Sequence, residues 1–384
     1  MIPYGRQIIS EQDVDAVVDV LRSDFLTQGP RVKEFEDAFC NRLGVRAAVA
    51  MNSATSALHA ACLALGLGRG DRLWTSPNTF VASANCAMYC GAQVDFVDID
   101  LSTYNLCMDK LEEKLIKAST SKTLPKIVVP VHFGGNPCDM RRLKKLSEQF
   151  GFAIIEDASH AVGAKYNGDP VGSCQFSDIT VFSFHPVKII TSGEGGLALT
   201  NDQDLAEKMS QIRSHGITRD PDQLTQHQEQ PWYYEQQSLG FNYRMNDIEA
   251  ALGLSQLEKL QSFIGRRDEL ADCYTAALTR SSVNIQTVRD VDCSSWHLYV
   301  VTLPDCDRPR RDKIFKAMRE AGIGVNLHYI PVHLQPYYAA LGFKLGDFPA
   351  AEYYFDHCLT LPLHPGLTKT NVDFIAGQLL EQLS

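Results

Sequence analysis

The sequence predicts an α/β protein, a large sheet domain with helices on both faces followed by a smaller α+β domain, and three observations carry that prediction. Over the first two thirds of the chain, short apolar runs alternate with amphipathic helical stretches, the pattern of a sheet covered by helices. From Asn246 a long helical pattern leads into a region of different texture, strand-like, then amphipathic, then rich in aromatic loops. The 384 residues, 45% hydrophobic and 21% charged with no low-complexity tract, suffice for a large core and two domains. The boundary is placed near 255, giving domains of 1–255 and 256–384.

The elements follow in order. "RAAVAM" (46–51) reads as a strand, "NSATS" as a short loop, and "ALHAACLALG" as a helix of small residues. "GLGRG" (66–70) follows a helix, not a strand, so it reads as a C-cap and turn and not as a dinucleotide loop. "KIVVPVHF" (126–133) is a buried strand. In "CDMRRLKKLSEQFG", Met140, Leu143, Leu146 and Phe150 share one helical stripe, and Gly151 ends it. "FAIIEDASH" (152–160) and "DITVFSFH" (178–185) are strands, and "NDIEAALGLSQLEKLQSFIGRRDELADCYTAAL", from Asn246, is a long helical run joining the second domain. There, "SWHLYVVTLP" is strand-like and "RRDKIFKAMREAG" is an amphipathic helix.

Composition excludes several function classes. A net charge of −10 without a basic run argues against nucleic acid or an anionic membrane as partner. Eleven cysteines, an odd number with no C-x-x-C pair, argue against a metal site or a disulfide framework; Cys86 and Cys90 are the nearest neighbours. "MIPYGRQIIS" has no charged segment followed by an apolar core, and nowhere do eighteen apolar residues run together, so a cytoplasmic protein is expected.

Three places offer chemistry. A strand, the "NSATS" loop and a helix N-terminus together present free N–H groups and hydroxyls to an anion, most naturally a phosphate, although Ser and Thr also serve there as ordinary caps. Asp157 ends an apolar strand at the edge where open α/β sheets place ligands, and an Asp in a βα turn is the competing reading. Lys188 follows "VFSFH" and precedes "SGEGG", a glycine-rich segment with the single carboxylate Glu194. Such a lysine can serve as a Schiff-base nucleophile when desolvated, or simply be a solvated loop residue.

Their company carries a resemblance. A phosphate-type loop, an Asp at a strand end about thirty residues before a lysine, and a Ser five residues before it resemble the pyridoxal-phosphate enzymes of the aspartate-aminotransferase fold. In particular, the chain resembles the sugar-nucleotide aminotransferases of the DegT/DnrJ/EryC/StrS family nearly throughout. The blocks are "LTQGPRVKEFEDAF", "NSATSALHAA", "GAQVDFVDID", "PVHFGG", "IIEDASHAVGAKY", "SFHPVKIITSGEGG", "GFNYRMNDIEAALGLSQL" and "LHYIPVHLQPYY". The resemblance implies fold type I of these transferases, with a large mixed-sheet domain, and pyridoxal 5′-phosphate as cofactor.

Residue by residue, it implies that Lys188 carries the cofactor covalently and that Asp157 hydrogen-bonds the protonated pyridine nitrogen. Ala54, Thr55 and Ser183 match the phosphate cradle, Phe80 in "NTFVASAN" the aromatic on the ring face, and His160 a position near the ring's phenolic oxygen. Asn242 and Arg244 match residues reaching in from a neighbouring subunit, which implies a homodimer with shared sites. Tyr4, the stretch Asp24, Phe25, Leu26 and Thr27, and Asn326, His328 and Tyr329 match the sugar-nucleotide pocket.

The reaction so implied is a ping-pong transamination from L-glutamate to a keto sugar nucleotide, and the presence of Lys188 argues against the family's dehydratase branch. Several blocks look most like the branch that aminates C4 of UDP-2-acetamido-2,6-dideoxy-β-L-arabino-hexos-4-ulose, on the way to pseudaminic acid for flagellin and surface polysaccharide. "NSATSAL" has Ala54 where the family usually has glycine, and "GDRLWTSP" has Leu-Trp where an acidic residue and aliphatics are usual. The rivals are the same chemistry on a D-xylo UDP epimer or a GDP sugar, and a pyridoxal-phosphate-binding regulator without turnover.

Overall fold

Successive residues of a strand point to opposite faces of its sheet, and this chain buries apolar side chains on both. In the computed structural model, which describes residues 1–226 and 230–384, seven strands form one sheet: β1 (Ala47–Met51), β2 (Arg72–Thr75), β3 (Gln93–Phe96), β4 (Ile127–Val129), β5 (Ala153–Asp157), β8 (Ile179–Ser183) and β9 (Gly196–Thr200). The intervening β6 (Lys165–Tyr166) and β7 (Asp169–Pro170) pair only with each other. The sheet order is β1-β9-β8-β5-β4-β2-β3. Strands β3, β2, β4, β5 and β8 run parallel, while β9 is antiparallel to both β8 and β1, so the sheet is mixed.

Helices α1 (Glu11–Leu21), α2 (Pro30–Leu43), α3 (Ala54–Ala64), α4 (Ala82–Tyr89), α5 (Met108–Ser121), α6 (Met140–Phe150) and α7 (Gln203–Arg213) complete this region. Val49, Met51, Ile155 and Val181 pack with Leu58 and Ala61 of α3 and with α4 on one face. Ala50, Phe182 and Leu197 pack on the other face with Phe35 and Phe39 of α2, and Val128 and Ile154 with α5 and α6. Helix α6 ends at Gly151, whose φ of 78° a side chain would resist. The "GLGRG" turn connects α3 to β2 through Gly66 and Gly70, both at positive φ.

The helical run from Asn246 differs from the single helix its pattern suggests. It is two helices, α8 (Asp247–Glu258) and α9 (Leu260–Leu278), meeting at Lys259. Beyond them lies a separate core around a three-stranded sheet, Asn284–Ile285, Tyr299–Thr302 and Cys358–Leu361, covered by α9, Arg308–Glu320 and the C-terminal helix Lys369–Leu383. The N-terminus joins this part: Ile2 bridges Ile323, and Tyr4 O accepts from Leu363 N–H. Among the described residues, no helix is long and apolar enough to cross a membrane.

Candidate active site

The site lies at the carboxyl ends of β5 and β8, on the face that carries α3. Asp157 ends β5 and Ser183 ends β8, and both project to the side of Ile155 and Val181 because they stand two residues further along their strands. A cavity of about 490 Å³ opens there, lined by Asp157, Ser183 and Lys188 and by the α3 N-terminus.

The cap reading of "NSATS" is realised. Ser53 caps α3, its Oγ accepting from Ser56 N–H at 3.1 Å, while Ala57 N–H makes the first intrahelical bond to Ser53 O. The amides of Ala54 and Thr55 precede that bond, so the helix itself does not use them. Ala54, Thr55 and Ser183 line the cavity, at the positive end of a helix dipole. Gly196 allows this arrangement: a Cβ there would stand 2.3 Å from Ser53 C and 2.4 Å from Ala54 N.

Asp157 is 5% exposed. Its Oδ2 accepts from Ser83 Oγ at 2.6 Å, and its Oδ1 from Ser159 N–H at 3.1 Å. Lys188 is half-buried on the loop after β8. Burial lowers its ammonium to about 8, with the attraction of Asp157 opposing.

Around the amine stand three imidazoles that burial and the lysine charge keep neutral. His328 is lowered to about 3 by burial and then by Lys188. His160 is driven well below its ordinary value by burial, then by Lys188 and His328. His297 is shifted the same way by burial, then by its neighbours His160, Lys188 and Arg267. Gly134 N–H donates to His160 Nδ1 at 3.3 Å, which leaves Nε2–H to meet the Tyr329 hydroxyl at 3.1 Å. Burial raises the Tyr329 phenol, so it stays protonated.

Phe80 reaches the same cavity and is 58% exposed, so it is not a core phenylalanine; its ring stands 6.3 Å from that of Tyr329. Tyr4, Asn326, His328 and Tyr329 line the cavity as well, with Tyr4 5.5 Å from His328 ring to ring. The stretch Asp24–Thr27 does not: all four residues are exposed on the loop after α1. Asn242 and Arg244 also lie outside it, on a segment bonded to Asn52 and Met51.

Sequence reasoning missed Ser83, Glu194 and His297. Ser83 lies one helical turn after Phe80 in the quoted "NTFVASAN", so the i, i+3 spacing could have found it. Glu194, the carboxylate of "SGEGG", lines the cavity too. His297 carried no local signal; it is buried, 4.3 Å from His160 ring to ring, and its Nδ1 has no partner among the described residues.

A lysine amine of lowered pKa, a carboxylate at a strand end and an open helix N-terminus fit pyridoxal phosphate: its aldehyde, ring nitrogen and phosphate would each find a group of matching chemistry. The comparisons with known proteins agree. The profile of the DegT/DnrJ/EryC1/StrS aminotransferase family matches residues 7–380. The spore coat polysaccharide biosynthesis protein SpsC of Bacillus subtilis is 39% identical over 97% of this chain and 94% of its own length. The UDP-4-amino-4,6-dideoxy-N-acetyl-beta-L-altrosamine transaminase of Campylobacter jejuni is 36% identical over 100% of this chain and 98% of its own. Among solved structures, Helicobacter pylori PseC, an aminotransferase of pseudaminic acid biosynthesis, superposes with a TM-score of 0.91 at 32% identity, covering 100% of this chain and 99% of that one.

Proposed function

This chain belongs to the DegT/DnrJ/EryC1/StrS aminotransferase family, and we propose that it moves an amino group from L-glutamate to C4 of UDP-2-acetamido-2,6-dideoxy-β-L-arabino-hexos-4-ulose, the pseudaminic acid route. It is a transaminase acting on sugar nucleotides, and its cofactor is pyridoxal 5′-phosphate. The observation that carries the site reading is the convergence of Lys188, Asp157, Ser183 and the α3 N-terminus on one cavity.

Bound there, pyridoxal phosphate supplies a carbon that exchanges amines and a ring that takes up electrons from the substrate carbon. Ala54, Thr55 and Ser183 would hold its phosphate, and Asp157 would keep a proton on the ring nitrogen. Lys188, lowered to about 8, has a useful fraction of free amine near neutral pH, so it can act as nucleophile and then carry the proton to and from the substrate carbon. The neutral imidazoles of His160, His297 and His328 leave it the sole cation among these groups. Phe80 covers one side of the cavity, and Tyr4, Asn326, His328 and Tyr329 offer polar and aromatic contacts to a sugar. Asn242 and Arg244 act in the site of a second protomer, so the working unit is a homodimer.

The substrate reading rests on the altrosamine transaminases at 36% identity and on PseC. The 39% identity to SpsC, named for spore coat polysaccharide biosynthesis, leaves room for a second reading, the same chemistry on another 4-keto-6-deoxy sugar nucleotide such as the D-xylo UDP epimer or a GDP sugar. Mass spectrometry of products made with glutamate, cofactor and, separately, each UDP-linked C5 epimer and a GDP-linked 4-keto-6-deoxy sugar decides between them. Amination of the L-arabino epimer alone is expected; amination of the D-xylo epimer alone moves the enzyme to another pathway.

A further inference from the structure

Asp247 is the first residue of α8 and is fully buried. Its Oδ2 accepts from Gly29 N–H at 2.9 Å and its Oδ1 from Arg31 N–H at 3.0 Å, while its own N–H donates to Leu26 O at 3.0 Å. The carboxylate thus sits at the N-termini of two helices at once, α2 and α8, where both dipoles favour a negative charge. Gly29 makes the clasp possible: a Cβ there would stand 2.6 Å from Asp247 Oδ1 and 2.5 Å from Phe25 Cβ.

What the clasp holds is a loop with little packing of its own. Asp24 to Thr27 are all exposed, and Phe25 and Leu26 present two large apolar side chains, 54% and 49% exposed. On the other side of Asp247, Asn242–Arg244 is fixed to the β1–α3 junction through Tyr243 O and Asn52 N–H at 2.8 Å. Neither the loop nor this segment lines the cavity of its own chain.

We propose that Asp247 is a positioning residue that fastens Asp24–Thr27 to the Asn242–Arg244 segment, so that both enter the cavity of a second copy of this chain as one unit. This inference rests on the sugar-nucleotide transaminase reading above. In that cavity Phe25 and Leu26 cover the flat, weakly polar faces of the base, and Arg244 meets the diphosphate.

Asp247→Asn, which withdraws the charge from two amide hydrogen bonds, raises KM for the keto sugar nucleotide about tenfold with kcat changed by less than about twofold. Gly29→Ala, which displaces the same carboxylate from the other side, gives the same split and stands in if Asp247→Asn does not fold. The decisive sample is a hybrid dimer purified from differently tagged Lys188→Ala and Asp247→Asn protomers. Its one site with an intact lysine receives an intact clasp from the partner, so its KM returns to the wild-type value. A hybrid KM equal to that of Asp247→Asn overturns the inference, because the loop then serves its own chain, and so does an unchanged KM in both single variants. A wild-type protein whose cofactor spectrum does not respond to glutamate would instead sink the transaminase reading, with the clasp untouched.

Discussion

Glu156 and Asp157 are consecutive residues of β5, equally buried carboxylates that face opposite sides of the sheet. Glu156 is saturated by its own chain. It accepts from His132 Nε2 at 2.7 Å, from Thr180 Oγ1 at 3.0 Å and from Ser177 Oγ. Cys138 N–H donates to His132 Nδ1, which makes Nε2 the proton donor. Burial alone would raise Glu156, yet His132 and the two hydroxyls hold it below the usual carboxylate range. Asp157 has two donors for about four acceptor positions and looks into a cavity with Lys188. Burial therefore does not tell the two carboxylates apart; unused hydrogen-bonding capacity beside a cavity does.

Experiments can break or sharpen this contrast. The largest effect is expected at Lys188: Lys188→Ala loses multiple turnover by about a thousandfold or more, measured as aminated sugar per enzyme. Wild-type turnover in that variant would remove the lysine from its role. Next, Asp157→Asn lowers kcat by about a hundredfold while the melting temperature changes little. Glu156→Gln does the reverse. Leaving His132 and two hydroxyls around a neutral partner destabilises the fold by up to about 3 kcal/mol in denaturant titration, while kcat per folded molecule stays within about twofold. Equal kcat losses in the two variants would erase the distinction drawn between the faces of β5.

Ser183→Ala removes one hydroxyl from the cradle and weakens cofactor binding about tenfold, read from the absorbance of bound pyridoxal phosphate on dilution. The smallest effect is in the titration of Lys188. In the cofactor-free protein its amine reacts with an acylating reagent with a midpoint near pH 8, and Asp157→Asn moves that midpoint lower by removing the charge that opposes burial. The sign for stability follows. Between about 8 and the ordinary 10.5 the unfolded chain still holds a proton that the folded chain has released, so the contribution of Lys188 to stability rises with pH across that window.

The frame of this site was legible because strand ends announce themselves. Asp157 and Ser183 end short apolar runs, Lys188 follows the second of them, and "NSATS" stands between another such run and a helix of small residues. What escaped is set by tertiary packing. His297 meets His160 across a sequence gap of more than a hundred residues, and no local pattern encodes that. The break at Lys259 has helical dihedrals, φ −92° and ψ −4°, with no glycine or proline to mark it, so the pattern runs through it unbroken. Asp24–Thr27 was assigned to the pocket by resemblance, and one chain leaves these residues in solvent. A single sequence also says nothing of the clasp, since Asp247 and Gly29 are 218 residues apart.

Ser183, Gly196 and Met51 stand in one row across β8, β9 and β1, and Gly196 presses against the α3 N-terminus. The loop from Phe184 to Gly195, which holds Lys188, therefore works as a ruler laid between the amine and the proposed phosphate cradle. Surface loops usually absorb insertions, but a residue added or removed here would shift the lysine against a fixed anchor, and a slip in register would turn Ser183 to the other face. Length, in this one loop, is as much under constraint as residue identity.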